Sequence, residues 1–272
     1  MRKWSKKALA LLLALGLVLA LAGCGGTSQE GREQAESSGE EAGTQDKKVY
    51  IVGTEPTFPP FEYEDEETNE ITGFDIELIQ AIAQEAGIEV KIQSMGFDGL
   101  IPALQAGTID IVIAGMTIKP ERAESVDFGP PYFEAGLKIA VAADNNEINS
   151  VDDLKGKTVA VQIGTTGAAK AQELKDAGIV KDIKTYNTVD VVFLELLNGT
   201  VDAVINDLPV NEAYMVKNPG KIKMVGDILD GEEYAFAVAK GNKELLEKLT
   251  DGLNKVKESG KFDELKLKYF GS

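Results

Sequence analysis

The sequence lacks the residues on which many enzymes and metal sites depend. None of its 272 residues is a histidine, and Cys24 is the single cysteine. A lone cysteine excludes an internal disulfide. There is also no cluster of His and Cys of the kind that binds zinc, and no glycine-rich phosphate-binding loop. We therefore predict that the protein uses neither a metal nor another cofactor.

Basic residues are in the minority. The chain has 28 Lys and Arg against 45 Asp and Glu, and its formal net charge is −17. Removing residues 1–23, which carry Arg2, Lys3, Lys6 and Lys7 but no acidic residue, gives −17 − 4 = −21. Nucleic-acid binding requires a basic surface, so this balance argues against a nucleic-acid partner. It also disfavours anionic ligands unless local groups override the overall field.

Long apolar runs are missing except near the N-terminus. Ala8–Leu21 is 14 residues long, which is shorter than the roughly 20 residues that span a bilayer. It follows basic residues and ends in Leu21-Ala22-Gly23-Cys24, a pattern that resembles the bacterial lipobox. The resemblance implies cleavage before Cys24 and acyl chains such as palmitate on its modified thiol. An ordinary signal peptide with an incidental cysteine is the alternative.

Residues 24–46 are predicted to be a flexible tether. They are rich in Gly, Ser, Gln and Glu and contain no aromatic or β-branched aliphatic residue. Such a segment cannot bury enough apolar surface to fold. With residues 1–23 as a lipoprotein signal peptide, we expect the mature protein to be lipid-anchored to the cell membrane on its extracytoplasmic face.

The stretch Ile109–Arg122 is the most informative part of the globular chain. It opens as an apolar, β-branched run over 109–114, which predicts a buried strand. The strand breaks at Gly115 and leads through Thr117 to a short helix, where Pro120 suits the first turn. Arg122 then presents a planar donor fork that matches a carboxylate, with the N–H groups of Gly115 and Thr117 beside it. We interpret the stretch as an anion clamp; a surface ion pair of Arg122 is the alternative.

An internal sequence repeat supports this interpretation. The pattern of residues 104–115 recurs in residues 196–207, with Leu, Gly, Thr, Asp, Val and Ile at the same spacing. A second pair of similar strands, Val49–Thr54 and Thr158–Thr165, precedes them. The chain therefore builds one α/β unit twice. Ligands of open α/β sheets bind beyond the carboxyl ends of the strands, so the two units would place Arg122 and Asp207 across a cleft.

Further local signals predict a helix and the roles of three residues near helices. Gly73-Phe-Asp-Ile-Glu-Leu begins a helix that Gly87 ends, and we expect Asp75 to cap it. Phe61, in the proline-rich loop before it, is expected in the core. Thr165 is expected to shape the turn before an alanine-rich helix.

Taken together, the motifs resemble those of the polar amino-acid-binding proteins of bacterial ABC importers, the family 3 solute-binding proteins. The motifs are Gly73-Phe-Asp-Ile-Glu-Leu, Ile101-Pro-Ala-Leu, Ala114-Gly-Met-Thr-Ile and Asp202-Ala-Val-Ile-Asn-Asp. The resemblance covers residues 47–271. It implies an α/β, two-lobed periplasmic-binding-protein type II fold whose lobes are joined by two hinge strands.

The same resemblance implies the division of the chain. Lobe 1 is expected to comprise residues 47–131 and 235–272, and lobe 2 residues 137–228. The hinge segments are expected at 132–136 and 229–234.

The resemblance also implies a set of ligand-binding residues. By the family pattern, Arg122 holds the ligand α-carboxylate and Asp207 its α-ammonium. Glu55 faces the head group of the ligand side chain, unless it simply faces solvent. The full predicted set is Glu55, Phe58, Phe97, Gly115, Thr117, Arg122, Gln162, Thr166 and Asp207.

The charges of this set predict the ligand. Arg122 contributes +1 while Asp207 and Glu55 contribute −1 each, so the empty site carries −1 and suits a cationic amino acid. We expect arginine first and lysine or histidine next. Glutamine is the alternative, although the glutamine-binding branch carries lysine where this chain has Gln162 and histidine where it has Asn206.

These features predict a monomeric, non-enzymatic binding protein that delivers a free amino acid to the permease subunits of an ABC importer. One alternative is an enzyme that resembles cyclohexadienyl dehydratase on the same fold, with Glu55 as a general acid. Another is a sensory ligand-binding domain, against which the lipobox argues.

Overall fold

A computed structural model describes residues 48–271 of the protein. Cys24, the predicted signal peptide and the predicted tether lie outside the described residues. The apolar, β-branched runs of the sequence form two larger sheets, and three short strands between residues 57 and 72 form a third, smaller sheet. The strands are β1 Val49–Thr54, β2 Thr57–Phe58, β3 Glu62–Glu64, β4 Ile71–Thr72, β5 Glu89–Ser94, β6 Ile111–Val112, β7 Val126–Phe128, β8 Phe133–Ala142, β9 Thr158–Gln162, β10 Asp182–Tyr186, β11 Ala203–Asp207, β12 Ile222–Val225, β13 Gly231–Tyr234 and β14 Ala237–Ala239.

The helices follow the apolar periodicity of the sequence, and glycines end several of them. Gly87 and Gly107 close two helices in the left-handed conformation, with φ of 66° and 69°, which glycine adopts without steric cost. The helices are α1 Phe74–Ala86, α2 Phe97–Ala106, α3 Pro120–Ala123, α4 Thr166–Asp176, α5 Val189–Leu197, α6 Leu208–Lys217, α7 Lys243–Glu258 and α8 Lys261–Phe270. Within residues 48–271, no helix is long and apolar enough to cross a membrane.

The first sheet has the strand order β5-β1-β6-β14-β7. β1 pairs in parallel with β5 and β6, and β14 pairs antiparallel with β6 and β7. The second sheet has the order β10-β9-β11-β8-β12, in which β9 pairs in parallel with β10 and β11. The predicted repeat is therefore present: β6 follows α2, β11 follows α5, and each of the two strands is the middle strand of its sheet.

The strand predicted over 109–114 is shorter in the structure, where only Ile111–Val112 is paired as strand β6. The reason lies at Asp110. Its N–H donates to the Ile51 carbonyl at 2.8 Å, and its side-chain carboxylate accepts the Ile51 N–H at 2.9 Å. A side chain thus replaces one backbone partner at the start of the strand.

Two neighbouring strands connect the parts of the chain that carry the two sheets. β8 begins at Phe133 and runs into the second sheet, and β13 pairs with it antiparallel, with Tyr234 opposite Phe133. Phe61 is fully buried beside these strands and packs edge-on against Phe133 and Tyr234, with ring centroids 4.8 and 5.1 Å away. The prediction that Phe61 belongs to the core is confirmed.

Candidate ligand-binding site

The carboxyl ends of β1, β9 and β11 and the turn after β6 surround one cavity of about 300 Å³. The space inside it that is open to the centre of a water molecule is only about 10 Å³, so the cavity is narrow. All nine residues that the sequence predicted for the site line this cavity. Three further residues that the prediction did not include line it as well. The complete lining is Glu55, Phe58, Glu62, Phe97, Ala114, Gly115, Thr117, Arg122, Gln162, Thr165, Thr166 and Asp207.

Arg122 spans the mouth of the cavity. One guanidinium nitrogen, Nη1, donates to the Thr117 carbonyl at 2.9 Å, and the other, Nη2, donates to the Gly164 carbonyl at 3.0 Å. The guanidinium carbon lies 5.3 Å from the centroid of the Phe97 ring, a cation–π distance. Burial lowers the pKa of Arg122, but nearby Glu232 and Asp207 oppose that shift, so the side chain stays cationic.

Glu55 forms the opposite, acidic wall of the cavity and is only 4% exposed. Its carboxylate accepts hydrogen bonds from the Thr57 hydroxyl at 2.8 Å and from the Gln162 side-chain amide at 2.8 Å. Burial raises the pKa of Glu55, while these two hydrogen bonds lower it. Among the described residues no ion pair neutralises Glu55, so its carboxylate is open to a cationic group of a ligand.

Asp207 ends β11 and lies beneath the cavity, 4% exposed. Its Oδ1 accepts the hydroxyl of Tyr234, a residue of β13. Burial raises the pKa of Asp207 well above its usual range, and the Glu232 carboxyl beside it adds to the shift. An ammonium group bound here would relieve this accumulation of negative charge.

Gly115 shapes the cavity by its backbone. Its φ is +51°, and a Cβ atom built on it would lie 2.6 Å from the Phe58 ring. A larger residue would therefore push Phe58 out of the cavity wall. The expectation that the Gly115 N–H is available to a ligand carboxylate is wrong, because this N–H donates to the Asp75 carboxylate at 2.8 Å. Only the Gly115 carbonyl is left for a ligand.

Asp75 is likewise not the cap of its helix. The N-cap of α1 is Gly73, and no side chain caps it. Asp75 is instead fully buried, and its Oδ2 accepts the Gly115 N–H and the Tyr132 hydroxyl, the latter at 2.6 Å. It therefore ties the turn after β6 to the residue that precedes β8.

The N-terminus of α4 supplies the third side of the cavity. Thr165 is its N-cap and accepts the Ala168 N–H at 3.1 Å, as expected for a residue that shapes the turn. Thr166 begins the helix and lines the cavity. The partial positive charge of a helix N-terminus favours a carboxylate at this position.

Sequence reasoning missed Glu62, Tyr234, Glu232 and Tyr132. Glu62 is 1% exposed and lines the cavity, yet it follows Phe61 in a segment without a recognisable motif. Its burial depends on contacts from distant elements, so no local signal identifies it. Within residues 48–271 there is no group of three or more acidic or Cys side chains that could hold a metal ion.

The arrangement has complementary charged walls. The Arg122 guanidinium and the N-terminus of α4 suit a ligand carboxylate, and the carboxyl groups of Glu55 and Asp207 suit ligand ammonium groups. The rings of Phe58 and Phe97 close the remaining sides. The geometry suits a small zwitterion with a polar side chain.

Comparison with known proteins agrees with this geometry. Residues 50–272 match the model of the bacterial extracellular solute-binding proteins, family 3. The chain belongs to this family of substrate-binding proteins.

Curated relatives match almost the whole chain. The arginine-binding extracellular protein ArtP of Bacillus subtilis (strain 168) is 36% identical over 271 residues, which are 99% of this chain and 98% of the relative. A probable histidine-binding protein of Neisseria gonorrhoeae is 35% identical over 273 residues, covering 99% and 96%.

Solved structures are similar as well. An ancestral arginine-binding protein has been solved bound to arginine and bound to glutamine, with 48% and 47% identity. Each covers 82% of this chain and 98% of the other, with a TM-score of 0.78. An ancestral amino-acid-binding protein described as a precursor of cyclohexadienyl dehydratase is 40% identical, with a TM-score of 0.74 over 82% of this chain and 95% of the other. The predicted two-lobed α/β fold class is confirmed.

Proposed function

We propose that the protein binds a cationic L-amino acid, arginine first and lysine or histidine next, and delivers it to an ABC importer. The observation that carries this proposal is the excess of buried acid at the site. Five carboxyl groups lie at or directly behind the cavity and are at most 4% exposed, whereas Arg122 is the one basic residue in its lining. The five acids are Glu55, Glu62, Asp75, Asp207 and Glu232.

The charge balance explains the preference. A neutral-side-chain amino acid is a zwitterion and adds no net charge, so Glu55 stays an uncompensated buried carboxylate, which is costly. A cationic side chain supplies the missing charge. Neither Lys119 nor Lys138 lines the cavity, so neither compensates Glu55, and the Lys138 ammonium donates to the Gly226 carbonyl.

A ligand panel tests the proposal directly. Thermal-shift measurements on a lipid-free fragment starting at residue 47 should show the largest stabilisation with arginine. Direct competition between arginine and glutamine then ranks the two. A preference for glutamine in that competition would contradict the charge argument.

Glutamine is the second candidate ligand. The ancestral arginine-binding protein was solved with glutamine bound, so a site of this type is able to accept a neutral polar side chain. In this chain the Gln162 amide donates to Glu55, and a ligand amide could replace it as a donor.

We propose that the protein has no enzymatic activity. The relatives named above carry the names of amino-acid-binding proteins, which supports a binding function. Incubation with prephenate or arogenate tests the alternative, since a dehydratase-like enzyme would form product and a binding protein would not.

Membrane attachment through Cys24 is part of the proposal. Replacing Cys24 with serine is expected to release the protein from the membrane or leave an uncleaved precursor, because the acyl chains require the thiol. One acyl chain binds a membrane only marginally, but a lipoprotein anchor carries more than one. Membrane fractionation and mass spectrometry measure the outcome. A mature form of the serine variant that still requires detergent would contradict it.

Hinge closure is expected to accompany binding. We propose lobe 1 at residues 47–131 and 235–272, lobe 2 at 137–228, and the hinge at 132–136 and 229–234. Contacts between these lobes include the hydrogen bonds from Arg122 to Gly164, from Gln162 to Glu55 and from the Val189 N–H to the Thr57 hydroxyl, at 3.0, 2.8 and 2.9 Å.

A ligand held by Arg122 on one side and by Asp207 on the other favours the closed form, because it touches both lobes only when they are shut. Small-angle X-ray scattering should therefore give a smaller radius of gyration with saturating ligand than without it. The Asp207→Ala variant serves as a control that should not contract. An unchanged radius in the wild-type protein at saturation would exclude a hinge movement.

A further inference from the structure

Glu62 is a cavity-lining acid to which the proposed function assigns no ligand group of its own. It lies at the start of β3, 1% exposed, and the fully buried Asp75 of α1 is beside it. Oε2 of Glu62 and Oδ1 of Asp75 are both buried without a hydrogen-bond donor among the described residues. The two carboxyl groups lie within hydrogen-bonding reach of each other. Two ionised carboxylates offer only acceptors, so this contact requires a proton held between them.

The surroundings decide which acid carries that proton. Asp75 already accepts the Gly115 N–H at 2.8 Å and the Tyr132 hydroxyl at 2.6 Å, and such donors favour the ionised form. Glu62 is therefore the proton donor of the pair. Burial raises the pKa of Glu62 well above its usual range, and the charges of Asp75 and Glu55 add to the shift. Burial raises the pKa of Asp75 to about 6.

The groups that face Glu62 are acidic or neutral. They are Asp75 on α1, Glu55 after β1, Asp207 at the end of β11 and Tyr132 before β8. Arg122 lines the same cavity, but its two terminal nitrogens donate to carbonyl groups. Among the described residues that line the cavity Arg122 is thus the one cation, and it makes no ion pair with Glu62, whereas a ligand cation close to Glu62 would stabilise its carboxylate.

We propose that Glu62 gives up its proton when a cationic side chain enters the site, so that binding of a cationic amino acid releases a proton. The carboxylic acid becomes a carboxylate that faces the ligand cation, and the proton passes to solvent. Glu62 is therefore a specificity-determining residue, because a neutral side chain offers no charge that would ionise it. This inference rests on the proposed function.

The sign of the pH dependence follows from the proton balance. In the free protein the contact with Asp75 keeps a proton on Glu62, and the complex favours the carboxylate. Raising the pH between the pKa of Glu62 in the complex and its pKa in the free protein therefore tightens binding of the cationic ligand. Where one full proton is released, the Kd falls about tenfold per pH unit.

Isothermal titration calorimetry in buffers of different ionisation enthalpy measures the proton number directly. The ligands are arginine and citrulline, which have similar shapes but differ in side-chain charge. The α-ammonium group near the Asp207–Glu232 pair is common to both ligands, so any protons released there cancel in the comparison. We expect arginine at pH 7–8 to release more protons than citrulline, by up to one per site.

Two variants identify the source of the proton. Glu62→Gln retains an N–H donor to Asp75 but has no proton to release, so arginine binding should lose the extra buffer-dependent heat. Glu64→Gln is the matched control, because Glu64 lies two residues further along β3 and is exposed; it should retain wild-type proton release. If the Glu62→Gln variant does not fold, the Kd of the wild-type protein for arginine is measured over a series of pH values instead, and it should fall as the pH rises.

The outcomes separate the two proposals. Arginine that binds with the same proton number as citrulline, or a Glu62→Gln variant that still releases the extra proton, would overturn the role of Glu62 and leave the binding function intact. No heat and no thermal shift with any cationic amino acid would instead overturn the proposed function, and this inference with it.

Discussion

Replacing Asp207 with alanine is expected to abolish amino-acid binding while the protein stays folded. Asp207 is the predicted partner of the ligand α-ammonium group. In the alanine variant the buried ammonium group loses this carboxylate partner. Orphaning one partner of a buried pair costs roughly 3–5 kcal/mol. A micromolar site has about −8 kcal/mol in total, so little affinity is left. Arg122→Ala is expected to have a comparable effect through the ligand carboxylate.

Isothermal titration with arginine measures both losses, and we expect the Kd to rise by at least about a hundredfold, which corresponds to roughly 3 kcal/mol. Asp251→Ala is the control for Asp207→Ala, because Asp251 is an exposed acid on α7. Its affinity should match the wild type. Thermal unfolding checks the fold: Asp207→Ala leaves the buried Tyr234 hydroxyl without its acceptor, at a cost of about 1–3 kcal/mol. Binding within tenfold of wild type in either alanine variant would show that the charged clamp is assigned wrongly.

Replacing Glu55 with glutamine is expected to change which amino acid the protein prefers. The amide oxygen of the variant is still able to accept from the Thr57 hydroxyl and the Gln162 amide, which are the contacts of the wild-type carboxylate. What the variant loses is the negative charge opposite the ligand side chain. Arginine should therefore bind roughly 10–100-fold more weakly, as expected for a hydrogen bond to a charged group of about 1.5–3 kcal/mol.

Glutamine affinity should change much less in the same variant, because an amide side chain depends on hydrogen bonds and not on that charge. The measurement is the ratio of the arginine and glutamine dissociation constants in wild type and variant. Glu85→Gln is a suitable control, since Glu85 is an exposed acid near the end of α1, and should leave the ratio unchanged. Equal weakening of both ligands in Glu55→Gln would mean that Glu55 holds the cavity in shape and does not select for charge.

Local sequence determined the secondary elements around the site, because their signals are short-ranged. Gly107 ends α2 before β6, and the same pattern of residues ends α5 before β11. An apolar strand that runs into polar residues delivers those residues to the edge of a sheet. The repetition of this unit is what allowed Arg122 and Asp207 to be placed at one site from sequence alone, with Gly115 and Thr117 beside Arg122. The family resemblance named the other five residues.

The sequence also determined the overall charge and the lack of histidine, and both limit the chemistry of the site. These properties depend only on composition. Without histidine there is no histidine general base whatever the chain folds into, and the excess of acidic residues argues against a basic surface for nucleic acid.

Only the tertiary structure decided the roles of Asp75 and Glu62. Asp75 stands where a helix cap is expected, but packing buries it against Gly115 and Tyr132, which are 40 and 57 residues away in sequence. Glu62 becomes a cavity wall only because residues distant in sequence, such as Phe97, Arg122 and Asp207, line the same cavity. Periodicity tells which face of an element is apolar, but it carries no information on which distant polar group will meet a buried one. The pairing of acids behind the site, Glu62 with Asp75 and Asp207 with Glu232, is therefore a property of the fold, since each pair joins residues from different elements.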